Sequence, residues 1–197
     1  GKVAYLTFDD GPSKNTITIL DTLKEHNIKA TFFINGNYNK ETVQRIINEG
    51  HAIGNHTNSH SYKDIYMSVD AFVNDFNKLE NNLLNDFGIK PILIRYPGGS
   101  NNTVSHKYGG KNIMTDIITT MTSKGYKYFD WNVTSGDADS TPATKEQIIN
   151  NVVSRSKNLK TPIILMHDAS SKTETAKAVP EIINQLKAQG FSFDKLS

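Results

Sequence analysis

Cysteine is absent from this chain of 197 residues, which excludes a disulfide framework, a thiolate-held metal and a cysteine nucleophile. Any metal must then be held by His, Asp or Glu. No stretch approaches the roughly 20 apolar residues of a membrane-spanning helix. The formal charge of +2 is spread without a block of Lys and Arg, so neither a nucleic-acid footprint nor an anionic-membrane footprint is expected. Heptads, internal repeats, linkers and low-complexity tracts are also missing, which predicts a monomer and a single domain over residues 1–197. A hydrophobic content of 37% is enough to bury a core without covalent staples. No secretory signal opens the sequence; Gly1 and Lys2 run straight into an apolar segment, as expected of a domain cut from a longer precursor.

What is present is an alternation of two apolar periods. Short β-rich runs cover Val3 to Phe8, Ala30 to Ile34, Ala52 to Gly54, Ile92 to Arg95, Tyr128 to Val133 and Pro162 to Met166, with a weaker one near Phe191 to Phe193. Helical periodicity covers Thr16 to His26, Lys40 to Glu49, Val69 to Phe87, Ile113 to Ser123, Lys145 to Asn158 and Thr175 to Gln189. Gly50, Gly88, Gly125 and Gly190 follow helical segments as C-terminal stops, and Thr144 with Gln147 three residues on predicts a capped start. Pro180 is expected in a first turn or at a kink. About seven β-α repeats imply a parallel sheet in an α/β fold, either an open doubly wound sheet or an incomplete (β/α) barrel; a full eight-fold barrel needs about 250 residues.

The chemistry-bearing residues fall at the C-terminal ends of these strands, the edge where parallel sheets assemble ligand sites. Asp9 and Asp10 follow the first strand, His56 and His60 the third, Arg95 the fourth, Asp137 the fifth, and His167 with Asp168 the sixth. His56 and His60, at i and i+4, share a face if the segment makes a helical turn, and with one carboxylate they make a two-His, one-Asp set with open coordination positions. Each residue also has a plainer reading: helix-capping acids at Asp9-Asp10, two solvated loop histidines, a surface Arg95, a turn aspartate at Asp137 and a satisfied structural His167. Their convergence on one edge favours a site. His26, His51 and His106 have no such companions.

The series Thr7-Phe8-Asp9-Asp10-Gly11-Pro12, His56-Thr57-Asn58-Ser59-His60, Arg95-Tyr96-Pro97-Gly98-Gly99 and Leu165-Met166-His167 resembles the motifs of the polysaccharide deacetylases, carbohydrate esterase family 4, in order and spacing. The resemblance implies a distorted, incomplete (β/α) barrel of about seven strands. It implies Asp9 as general base and Asp10, His56 and His60 as ligands of a divalent metal, zinc or cobalt. Arg95 would hold Asp9 ionised, the Gly98 N–H would bind an oxyanion, Asp137 would tune His167 as general acid, and Leu165 and Tyr96 would meet the substrate. Two positions depart from the family pattern. Gly98 stands where an aromatic residue is usual, and Ala138 stands where tryptophan usually follows the aspartate; Trp131 matches an upstream packing position. The expected activity is removal of N-acetyl groups from a glycan, foremost N-acetylglucosamine of peptidoglycan, at an extracellular or cell-surface location. The alternatives are a chitooligosaccharide deacetylase, an acetylxylan esterase, or a glycan-binding module that retains the metal site.

Overall fold

The computed structural model describes all residues from Gly1 to Ser197. In chain order the elements are β1 (Lys2–Asp9), α1 (Lys14–His26), β2 (Thr31–Ile34), α2 (Lys40–Asn48), β3 (Ala52–Asn55), α3 (Tyr62–Ile65), α4 (Val69–Phe87) and β4 (Leu93–Ile94). There follow α5 (His106–Gly109), α6 (Ile113–Ser123), β5 (Lys127–Tyr128), β6 (Val133–Thr134), α7 (Lys145–Ser156), β7 (Ile163–His167), α8 (Thr173–Ala188) and β8 (Phe191–Phe193). Strand order through the sheet is β5-β4-β3-β2-β1-β7-β6, with β8 beside β1. The pairs β1–β7, β1–β8, β3–β4, β4–β5 and β6–β7 are all parallel.

Local chemistry sets the helix ends. Ser13 and Thr16 form a capping box on α1, and Thr144 and Gln147 form the expected one on α7. Ser68 caps α4, which Gly88 ends in a left-handed conformation. Pro180 lies inside α8, well past its first turn. Another difference concerns the run from Tyr128 to Val133, which the sequence reads as one strand. It is two short strands serving different partners: Lys127 and Tyr128 pair with Leu93 and Ile94, whereas Val133 and Thr134 pair with Ile164 and Leu165.

The chain forms two compact units. One comprises Gly1–Phe32, Tyr38–Ala52 and Trp131–Ser197. Its core is built on β1 and β7, where Ala4, Leu6, Phe8, Ile164 and Met166 are buried together with Leu20 and Leu23 of α1 and Val179, Ile182 and Ile183 of α8. The other comprises Phe33–Asn37 and Ile53–Asp130. Its core is an aromatic cluster of Tyr66, Phe72, Phe76 and Tyr96 with Ile94, Ile113, Ile117 and Met121. Ring centroids 5.6–6.2 Å apart put the aromatic members in stacked and tilted contact, worth about 0.5–1.5 kcal/mol per pair beyond area burial.

Candidate active site

In the first unit, Asp9 and His167 are register partners at the C-terminal ends of β1 and β7. Asp10, the next residue, leaves the strand with φ +79° and brings a carboxylate oxygen 4.0 Å from His167 Nε2. The other face of that ring is taken by Asp137, whose Oδ1 lies 2.8 Å from His167 Nδ1. Asp137 is itself fixed: its Oδ2 accepts from the His167 N–H and from the Thr175 hydroxyl, both at 2.8 Å. Lys172 Nζ donates to the Asp137 carbonyl. Burial opposes charge on His167, but the Asp137 hydrogen bond and charge, with the charges of Asp9 and Asp10, outweigh it and raise the imidazole to about 9. Burial likewise disfavours the Asp137 carboxylate, and the bonds from His167 and Thr175 carry it the other way, below its ordinary value. The result is an imidazolium presented on Nε2 by a buried ion pair.

Asp168, singled out in the sequence only by its place beside His167, is buried. It accepts from the Gly11 N–H at 3.0 Å and the Thr16 hydroxyl at 2.6 Å. Burial pushes its carboxyl up to about 7 against the Thr16 bond, with the charges of Asp9 and Asp10 adding to the rise. Leu165 lies between Ile164 and Met166 on β7, 9% exposed. Ala138 is exposed at the end of the Asp137 turn.

In the second unit, the segment from His56 to His60 is not a helical turn. Thr57 and His60 have φ of +67° and +53°, and this kinked loop, rather than helical spacing, sets the imidazole centroids 4.9 Å apart. The loop is held by side chains around it. Asp75 of α4 accepts from the Asn58 and Ser59 N–H groups at 2.8 and 3.0 Å, and Asn35 donates to the His56 and Thr57 carbonyls. His56 Nδ1 lies 2.6 Å from the Arg95 carbonyl. A ring proton placed there leaves Nε2 as the donor atom, the usual arrangement of a metal-binding histidine.

Arg95 is fully buried at the end of β4, its Nε and Nη2 donating to the Phe129 and Asp130 carbonyls at 3.0 Å and its guanidinium 4.4 Å from the Phe33 ring centroid. Tyr96 corrects an expectation. Its side chain is 1% exposed and packs against Phe72 and Tyr128, so it serves the aromatic core and does not line a substrate groove. Gly98 has φ +82°, a conformation that favours glycine. Its loop is pinned by Asp130, which accepts from the N–H and hydroxyl of Ser100. Sequence reasoning passed over Asp130 and Thr175 because each acts through a partner distant in the chain.

Asp10 offers a carboxylate oxygen, and His56 and His60 offer two imidazole nitrogens, residue types that together can hold a metal ion. The donor set fits a borderline divalent ion that takes N and O ligands and retains open positions. No helix is long and apolar enough to cross a membrane.

A family model described as polysaccharide deacetylase matches residues 1–115. A peptidoglycan-N-acetylglucosamine deacetylase of Bacillus cereus is 36% identical over 200 aligned residues, spanning 98% of this chain and 68% of that protein. A bifunctional xylanase/deacetylase of Pseudobutyrivibrio xylanivorans is 34% identical over 100% of this chain and 30% of its own length. Among solved structures, the catalytic domain of a peptidoglycan N-acetylglucosamine deacetylase from Eubacterium rectale superposes with a TM-score of 0.94 at 38% identity, over 100% of this chain and 89% of that one. Of the two architectures compatible with the β-α repeats, the fold is the distorted, incomplete (β/α) barrel, and the chain belongs to the polysaccharide deacetylases of carbohydrate esterase family 4, hydrolases that remove acetyl groups from polysaccharides.

Proposed function

We propose that the chain removes the N-acetyl group from N-acetylglucosamine of peptidoglycan, at an extracellular or cell-surface location, with zinc or cobalt held by Asp10, His56 and His60. The observation that carries this reading is the His167–Asp137 pair beside Asp9 and Asp10. Expelling an amine from an amide demands a proton at nitrogen, and an imidazole raised to about 9 arrives carrying one. An ester, whose alkoxide departs more readily, makes less demand on such an acid.

A divalent cation bound by the triad supplies Lewis acidity, lowering the pKa of water and polarising a carbonyl. The protein's own groups do the rest. Asp9 takes the proton of the attacking water. The Gly98 N–H, on a loop held by Asp130, donates to the oxyanion as it forms; such fixed donors contribute roughly 3–4 kcal/mol to a transition state. His167 Nε2 hands its proton to the departing amine while Asp137 stabilises the ring's orientation. Leu165 faces the acetyl methyl. Peptidoglycan is favoured as substrate because the relatives from B. cereus and E. rectale carry that activity in their names. Acetylxylan is the second reading, supported by the xylanase-linked relative.

Acetate release from peptidoglycan, chitooligosaccharides and acetylxylan decides between them, with peptidoglycan expected to be fastest. Chelation should abolish release and zinc or cobalt restore it; turnover that survives metal removal would refute the mechanism. Asp9→Asn should retain metal and lose about 10²–10⁴-fold in kcat, whereas His56→Ala should lose the metal itself.

A further inference from the structure

The φ of +79° at Asp10 is a left-handed conformation that costs a non-glycine residue on the order of 1 kcal/mol and persists only where its surroundings hold it. Two hydrogen bonds bracket that residue, and both come from Asp168. The Asp168 N–H donates to the Asp9 carbonyl at 3.0 Å, gripping the peptide plane before Asp10. The Asp168 Oδ1 accepts from the Gly11 N–H at 3.0 Å, gripping the plane after it. Those two planes define the backbone angles of Asp10 and hence the direction of its carboxylate.

The remaining groups of Asp168 are anchored to the start of α1. Its Oδ2 accepts from the Thr16 hydroxyl and its carbonyl from the Ser13 hydroxyl, each at 2.6 Å. The approach to the turn is close enough that a Cβ at Gly11 would stand 2.3 Å from Asp168 Oδ2, so only glycine fits opposite the carboxylate. Asp168 is 1% exposed. A group so placed touches neither metal nor substrate, yet it fixes the residue between the two planes.

We infer that Asp168 is a positioning residue for the metal ligand Asp10 and the base Asp9, setting the backbone from which both carboxylates project. The inference rests on Asp10 acting as a ligand in the proposed function. Its test is zinc affinity by competition with a chromophoric chelator, read without any glycan, beside the melting temperature of the metal-free protein and kcat and KM on the acetylated glycan. Asp168→Ala should bind zinc about 10–100-fold more weakly, as outer partners of metal ligands do when removed, and lose kcat with KM little changed. Asp168→Asn, which keeps the backbone N–H and an oxygen for Gly11, should restore zinc affinity to within about threefold of wild type. Thr16→Val, which cuts the Asp168 anchor on α1 and the Thr16 half of the capping box but neither bond to the planes around Asp10, should lower the melting temperature and leave zinc affinity in place.

If Asp168→Ala does not fold, Gly11→Ala displaces the same carboxylate and should show the same loss. Zinc affinity and kcat unchanged in the folded Asp168→Ala or Gly11→Ala protein would overturn the inference. A Thr16→Val protein as impaired in zinc binding as Asp168→Ala would also overturn it, reducing Asp168 to a helix anchor. Wild-type protein that binds zinc yet releases no acetate would refute the proposed function and leave the positioning role to be judged on affinity alone.

Discussion

His167 gains its character chiefly from Asp137, with the charges of Asp9 and Asp10 adding to it. Burial alone would favour the neutral ring; with these partners the imidazolium is held to about 9. The folded value lies above the ordinary 6.5, so the stabilisation is full below about pH 6.5 and is lost as pH rises through about 9, amounting to about 3 kcal/mol. In metal-free protein, Asp137→Asn should therefore melt well below wild type near pH 5–6, with the gap closing toward about pH 9. NMR titration of the imidazole should show its midpoint lowered in the variant; a midpoint that stays near 9 would contradict the pairing. At this scale the sequence placed Asp9, Asp10 and His167 at strand ends, because strand pattern and position are local. It could not separate a core tyrosine from a groove tyrosine at Tyr96, since the packing of Phe72 and Tyr128 around it depends on residues 24 and 32 positions away.

Among elements, loops rather than helices and strands decide the site. The loop carrying His56 and His60 has two left-handed residues and depends on Asp75, in the second turn of α4, for two of its N–H groups. Asp75→Ala should leave α4 intact, cost about 1 kcal/mol through the two lost hydrogen bonds, and weaken zinc binding about tenfold or more. Chelator competition and thermal melting check the two effects separately; lost stability with unchanged affinity would mean that the loop keeps its shape unaided. The capped start at Thr144 and the glycine stops were legible in the sequence because their hydrogen bonds close within four residues. The division between β5 and β6 was not legible, because a continuous apolar run carries no mark of which distant strand each half will meet.

For the whole molecule, stability should be tied to metal binding. Ligands that bind only the folded chain stabilise it by mass action, so zinc at about 1,000 times its dissociation constant should add about 4 kcal/mol and raise the melting temperature in proportion to the logarithm of zinc concentration. His56→Ala should abolish that rise. The core makes its own contribution: Phe76→Ala, deleting a fully buried ring from the aromatic cluster, should cost about 3–5 kcal/mol. Scanning calorimetry with and without zinc separates the two, since the core defect persists at every metal concentration.

The sequence alone determined the β-α alternation, the strand-end placement of the acids and histidines, the exclusion of thiolate chemistry and the motif order that marks the family. The first three are read from composition, period and spacing, which are properties of neighbours along the chain; the family is read from the resemblance of its motifs. Tertiary structure decided the rest: the left-handed loop that turns His56 and His60 toward each other, the glycine conformation at Gly98, and the bond from Asp137 that fixes the proton on His167. It also decided the grip of Asp168 on Gly11, across 157 residues of chain. Such contacts arise only when burial brings remote segments together and leaves polar groups no partner except one another.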